Sequence, residues 1–98
     1  MYKRVITPSA KRSLKKLPLN LRKEIVSSTK NLEQNPLSGE KLSGSLSFLY
    51  SLHFRQEDVQ YRVAYTIDHK KKLVILHFAD KRENFYEKLR ALFRWFGQ

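Results

Sequence analysis

An α+β domain of order β-α-α-β-β-β-α, a helical hairpin packed on an antiparallel sheet with a C-terminal helix, is the fold class that these 98 residues predict. Three observations carry it. Apolar residues recur at helical spacing in two stretches of the first 35 positions, alternate with polar ones across residues 48–78, and return to helical spacing after Asp80. A chain of this length buries roughly two-thirds of its unfolded surface, which supports one core, so residues 1–98 read as a single domain.

Tyr2 to Thr7 reads as a short strand. Thr7-Pro8 then opens a helix, because Thr can cap it and Pro suits its first position. Ala10, Leu14 and Leu17 form its apolar stripe, with Lys11, Arg12, Lys15 and Lys16 mostly outside it. Leu17-Pro18-Leu19-Asn20 breaks that pattern, and Leu21, Ile25, Ser28 and Leu32 restart it, predicting a second helix from about Asn20 to Asn35, stopped by Pro36. Residues 36–47, PLSGEKLSGSLS, hold two of the three glycines and four serines and read as a loop.

Three strands should follow. Phe48, Tyr50, Leu52 and Phe54 alternate with polar positions, and so do Val59, Tyr61, Val63, Tyr65 and Ile67. With Arg55-Gln56-Glu57-Asp58 as the turn, Phe54 pairs with Val59, Leu52 with Tyr61, His53 with Gln60 and Ser51 with Arg62. A turn at His69-Lys70 leads into Leu73 to Phe78, and placing Val74, Leu76 and Phe78 on the core face sets His77 opposite Arg62. Parity thus gathers His53, Arg62 and His77 on one face. In the last helix Asp80 and Glu83 are spaced as a capping box. Phe85, Leu89, Leu92 and Phe96 recur at helical spacing, flanked by Phe93 and Trp95, and Arg82, Tyr86 and Arg90 form a second stripe.

Composition narrows the function. Cysteine is absent, which excludes disulfides, thiolate zinc sites and a cysteine nucleophile. The longest uncharged stretch, Leu42 to Phe54, is too short and too serine-rich to span a bilayer, and MYKRVITPSAKR lacks a signal peptide's apolar core, so a cytoplasmic protein away from membranes is expected. Twenty Lys and Arg against nine Asp and Glu leave a net charge of +11. The excess sits at the two ends: +7 over residues 1–35, −1 over 36–69 and +5 over 70–98. Nucleic acid is the leading class of partner for such a surface.

No metal-ligand spacing, glycine-rich phosphate loop or nucleophile elbow is present, and no metal or cofactor is expected. What remains is a cationic, aromatic set: Arg62, Arg82, Tyr86 and His53, with Arg55, Lys81 and His77 around them. RNA supplies its own nucleophile in the 2′-hydroxyl, so its cleavage needs only a proton acceptor, a proton donor and cations to hold the phosphorane charge. Plain alternatives stand beside this reading: Arg62 as a solvated strand residue, Tyr86 as a half-buried aromatic, the histidines as polar strand positions. Arg82 opposes the dipole of the helix it begins, which leaves it without an obvious structural purpose.

The stretch NPLSGEKLSGSLSFLYSLHF, then VQYRVAYTID, KKLVILHFADKREN and FY before an amphipathic helix, resembles the RelE/ParE toxin superfamily of bacterial toxin–antitoxin systems across nearly the whole chain. Leu42-Ser43-Gly44, Tyr61-Arg62, and Arg82 four residues before Tyr86 carry the resemblance. It implies two activities: RelE-like members are ribosome-dependent endoribonucleases acting on mRNA in the A site, whereas ParE-like members inhibit DNA gyrase. By position, Arg62 matches an arginine that stabilises the transition state, and Arg82 and Tyr86 match a C-terminal Arg and Tyr. Two lysines of the RelE pattern correspond to Ser51 and His53, which removes cationic charge and adds an imidazole able to accept a proton.

The resemblance therefore implies a toxin that cleaves mRNA by 2′-OH attack, with His53 or Tyr86 as proton acceptor and Arg62 and Arg82 as phosphate clamps. Arg55, Lys81 and His77 would assist, while Lys11, Arg12, Lys15 and Lys16 would dock ribosomal RNA. An acidic antitoxin and the ribosome are the expected partners, and Arg94-Trp95-Phe96 packs on the core or meets the antitoxin. The rival readings are a gyrase inhibitor without a reaction of its own and a non-toxic basic nucleic-acid-binding module.

Overall fold

In the computed structural model, which describes residues 1–94, β1 (Lys3–Ile6) leads straight into α1 (Pro8–Lys15). Thr7 caps that helix as its place before proline predicts, its hydroxyl accepting the Ala10 amide at 3.1 Å. The far end of α1 is closed from the next helix: Arg22 of α2 (Leu19–Thr29) donates to the carbonyls of Leu14 and Lys15 at 3.1 Å and of Leu17 at 3.2 Å. One guanidinium thus satisfies the Lys15 and Leu17 carbonyls at the helix end and joins the Leu17 amide already on Leu14. The second helical stretch ends at Thr29 and continues as a 3-10 turn, Lys30–Glu33, rather than running as one helix to Asn35. Thr29, fully buried, donates to the Ile25 carbonyl at 2.7 Å and accepts from Arg4 at 2.9 Å, so it competes with the backbone where the α-helix stops.

The segment 36–47 is not only loop. It holds 3-10 turns at Pro36–Ser38 and Gly44–Leu46, and between them β2 (Glu40–Lys41) pairs antiparallel with β3 (Tyr50–Gln56). β3, β4 (Val59–Asp68) and β5 (Leu73–Lys81) form the expected meander, and β1 joins β5 in parallel, giving the order β1-β5-β4-β3-β2. Two cores lie on opposite faces of this sheet. Leu14, Leu17, Leu21, Ile25 and Leu32 meet Val63, Tyr65, Val74, Leu76 and Ala79 on one face. On the other, α3 (Arg82–Leu92) lays Phe85, Leu89 and the following Phe93 over Leu46, Leu49 and Ala64. Each fully buried large apolar side chain stabilises the fold by about 1.5–3 kcal/mol.

Three expectations are corrected here. The β3–β4 turn is the two-residue Glu57-Asp58, both with positive φ (48° and 66°), as a type I′ hairpin requires, so the register moves by two: Phe54 pairs with Tyr61 and His53 with Arg62. A shift of two preserves which face each side chain takes. Between β4 and β5 a bulge follows Ala64, opposite which Phe78 sits, while Tyr65 pairs with Leu76; His77 is the extra residue. It reverses parity along β5 beyond that point, so Asp80 rather than Ala79 stands opposite Arg62 and Phe78 leaves the helical-hairpin face for that of α3; His77 misses Arg62 already because the β4–β5 turn pairs Asp68 with Leu73, a register that would set His77 against Ala64. The capping box does not form. Asp80 remains in β5, where its carboxylate accepts the Lys81 amide at 2.7 Å and pairs with Lys88 at 3.0 Å, and Lys81 precedes α3 without a side-chain cap.

Candidate functional site

Arg62 emerges half-buried from β4 on the α3 face, two residues before Ala64. Ala64 lacks the bulk to hold α3 away, so Phe85 packs on it and the next residue, Tyr86, comes down beside Arg62. The Arg62 guanidinium donates to the Tyr86 hydroxyl and lies 5.3 Å from the ring centroid. A cation held both to the edge oxygen and over the ring fixes the position of each group. His53, exposed, is the cross-strand neighbour of Arg62. Side chains so paired stand about 4.5–5.5 Å apart at Cβ. Arg82 in the first turn of α3 donates to the Gln60 side chain at 3.3 Å, and Gln60 is two residues from Arg62 on the same face. Its place is thereby explained without reference to the helix dipole.

Arg62, Tyr86, His53 and Arg82 therefore share one open face where β3, β4 and the start of α3 meet. Tyr86 separates two recesses. One, of about 660 Å³, is lined by Asp58, Val59, Gln60, Lys81, Arg82 and Glu83; the other, about 620 Å³, by Glu40, Lys41, Ser43, Gly44, Ser45 and Arg90. The first sets Lys81 and Arg82 beside Asp58 and Glu83, and the second sets Lys41 and Arg90 beside Glu40, so cations that could meet phosphates flank Tyr86 on both sides with carboxylates among them. Arg55 stands one row beyond His53, opposite Gln60, and is tied to Asp58 at 2.9 Å.

Other residues chosen from the sequence lie elsewhere. His77 is beside Thr66, bonded to its hydroxyl at 2.8 Å and edge-on to Phe93 at 5.1 Å, with Asp80 occupying the place opposite Arg62. Burial pushes its imidazole below the ordinary range and so favours the neutral ring. Lys11, Arg12, Lys15 and Lys16 are exposed on α1, which packs against the other face of the sheet; Arg12 and Lys16 share a recess with Lys88. Ser51 is buried, so no cation replaces the family lysine there. Trp95 and Phe96 lie outside the described residues. Among the described residues no group of three His, Asp or Glu is arranged to hold a metal ion, and no helix is long and apolar enough to cross a membrane.

Neither Gln60 nor Glu40 carries a sequence signal for the site. Gln60 follows the strand alternation like any solvent-facing polar residue, and Glu40 gains its position only through the pairing of β2 with β3.

Residues 5–90, a span that includes the whole constellation, match the ParE-like toxins of type II bacterial toxin–antitoxin systems. The chain belongs to this family. Its fold is that of the toxins in the Mycobacterium tuberculosis RelBE2 toxin–antitoxin complex, with 28% identity, a TM-score of 0.71, and coverage of 83% of this chain and 98% of that one. Free Escherichia coli RelE, in a variant form, superposes with a TM-score of 0.75 at 21% identity over 95% of this chain and 96% of that one. RelE from the Pyrococcus horikoshii RelE–RelB complex gives 0.56 at 22% identity, over 83% and 94%. No curated protein sequence matches the chain. This ParE-like toxin thus shares the RelE fold, with a five-stranded sheet and three α-helices among the described residues.

Proposed function

We propose that this toxin is a RelE-like, ribosome-dependent endoribonuclease that cleaves mRNA in the A site, working in the cytoplasm and silenced by an acidic antitoxin. The observation that supports this reading best is the joined Arg62–Tyr86 pair, with His53 across the strand and Arg82 at the helix start, all on one open face. A surface that only bound another protein would not require cations gathered around a phenol and an imidazole. On this reading His53 or Tyr86 takes the 2′-hydroxyl proton as the 2′-oxygen attacks the adjacent phosphorus. Arg62 and Arg82 hold the charge that develops on the phosphorane. Departure of the 5′-oxygen leaves a 2′,3′-cyclic phosphate and a 5′-hydroxyl end. Lys81 and Arg55 add positive potential at the rim, and Lys11, Arg12, Lys15 and Lys16 meet ribosomal RNA from the opposite layer. The known complexes of similar toxins with RelB antitoxins, and the +11 charge of this chain, support an acidic antitoxin as partner.

The family description favours a second reading, inhibition of DNA gyrase, and the buried Ser51 in place of a lysine is consistent with it. Inducing the gene in a bacterium while mapping mRNA ends, plasmid supercoiling and the DNA-damage response separates the two. New 5′-hydroxyl ends within translated codons, with supercoiling unchanged, are the expected result. Relaxed supercoiling and a damage response without new ends would establish gyrase inhibition instead, and neither effect would leave a basic binding module.

A further inference from the structure

Glu40, the first residue of β2, has no role in the reading above. It is nevertheless held firmly at the site. The Tyr65 hydroxyl donates to the Pro36 carbonyl at 2.7 Å and accepts the Gly39 amide at 2.9 Å, and Leu42 donates to the Leu49 carbonyl at 2.9 Å, so the backbone is pinned on both sides of Glu40. Gly39 is needed for this approach, because a Cβ there would stand 2.6 Å from the Tyr65 hydroxyl and 2.7 Å from the Ser51 carbonyl. Pairing with Ser51 then delivers the Glu40 carboxylate to His53, Oε2 lying 3.6 Å from Nε2, with the Ser51 hydroxyl 3.5 Å from the same nitrogen.

A carboxylate only accepts hydrogen bonds, so a proton on Nε2 is the arrangement it favours, and in a neutral imidazole that leaves Nδ1 as the bare acceptor. The charged groups that face the ring are Glu40 from β2, Arg55 on its own strand, and Arg62 from β4, which links to Tyr86 of α3. Arg55 is itself paired with Asp58, and Asp80 stands across the sheet from Arg62.

We propose that Glu40 is a positioning residue whose carboxylate, at ion-pair distance, favours the proton on His53 Nε2 and so leaves Nδ1 as the acceptor of the 2′-hydroxyl proton. This rests on the nuclease reading. The 2′-O–H proton passes to Nδ1 as the 2′-O–P bond forms; the 5′-O–P bond breaks, and the leaving oxygen takes its proton from the Tyr86 hydroxyl. Both side chains are well exposed, 76% for Glu40 and 42% for His53, so the pair costs little to form and contributes little to folding.

The test uses the full-length chain, with ribosomes programmed with mRNA, and ¹⁵N spectra of the His53 imidazole. Glu40→Ala should lose the Nε2–H preference and slow cleavage by up to about fivefold, the scale of an exposed ion pair, without a change in melting temperature. Glu40→Gln keeps an acceptor but not the charge. It should recover part of the rate and part of the Nε2–H preference. Wild-type cleavage with an unchanged tautomer and rate in both variants would overturn this inference while leaving the nuclease reading intact. No cleavage by the wild-type chain would remove that reading and the catalytic role of Glu40 together.

Discussion

Replacing Arg62 by alanine separates chemistry from folding more sharply than any other change at the site. Its interactions are the donation to Tyr86 and the contact with that ring. Losing a hydrogen bond costs about 0.5–1.5 kcal/mol and losing the cation–ring contact about 0.5–1, so the fold should lose about 1–2.5 kcal/mol. For a domain of this size each kcal/mol moves Tm by about 4–8 °C. Against a total stability of about 5 kcal/mol or more, the variant stays about 98% folded. A phosphorane deprived of its clamp loses about 2.7–4 kcal/mol of transition-state stabilisation, or 10²–10³ in rate. Unfolding cannot account for a loss of that size. Arg62→Lys keeps the charge without the planar fork and should recover only part of the rate. The assay is cleavage of ribosome-bound mRNA by purified protein, read beside thermal unfolding and growth arrest on induction. Wild-type cleavage by a folded Arg62→Ala protein would refute the site, and a Tm collapse that accounts for all lost activity would reduce Arg62 to a structural residue.

Neutralising Lys11, Arg12, Lys15 and Lys16 should weaken ribosome co-sedimentation and flatten its salt dependence by about 3 log units per log of salt, with little change in Tm; an unchanged salt series rejects docking through α1. Tyr65→Phe removes the hydroxyl that joins Pro36 to Gly39 and should cost about 1–3 kcal/mol in chemical denaturation, whereas an unchanged midpoint would mean that β2 is held by strand pairing alone. Burial depresses the His77 imidazole, so the unfolded chain binds the extra proton and stability falls as pH drops below about 6.5 toward the lowered folded value. His77→Gln should reduce the difference in urea midpoint between pH 7.5 and 5.5, and an equal difference in both proteins would contradict that linkage. Glu57→Asn with Asp58→Gly relieves two left-handed residues in the turn and should raise Tm, with activity unchanged; a lower Tm would show that the Arg55–Asp58 pair outweighs the strain.

The parts of this fold that short-range chemistry determines could be read from the sequence. Thr7-Pro8 caps α1 whatever the rest of the chain does, and alternation alone puts Arg62, Gln60 and His53 on one face of β3 and β4. What escaped depends on competition at a distance. Asp80 has the spacing of a cap, but Lys88 and the Lys81 amide take its carboxylate. β2 has two residues and no pattern, and exists because Tyr65, reaching from the opposite core, fastens the chain beside Ser51. The hairpin register is hidden because Glu57 and Asp58, neither of them glycine, adopt the left-handed conformation that a tight turn demands.

The bulge at His77 is the irregularity on which the site depends. Without it, strict alternation from Val74 and Leu76 would carry Phe78 and Asp80 to the helical-hairpin face and Ala79 to the other. Ala79 would then replace Phe78 under α3, and the chain would leave β5 with Lys81 and Arg82 on exchanged faces. One extra residue instead lets β5 supply Val74, Leu76 and Ala79 to the first core and Phe78 to the second. It brings Asp80 opposite Arg62, so that α3 begins with Arg82 against Gln60 and, one turn later, sets Tyr86 on Arg62. His77, the extra residue, stays on the α3 face against Thr66 and Phe93, and its insertion is what lets Phe78 and Asp80 reach that face beside it.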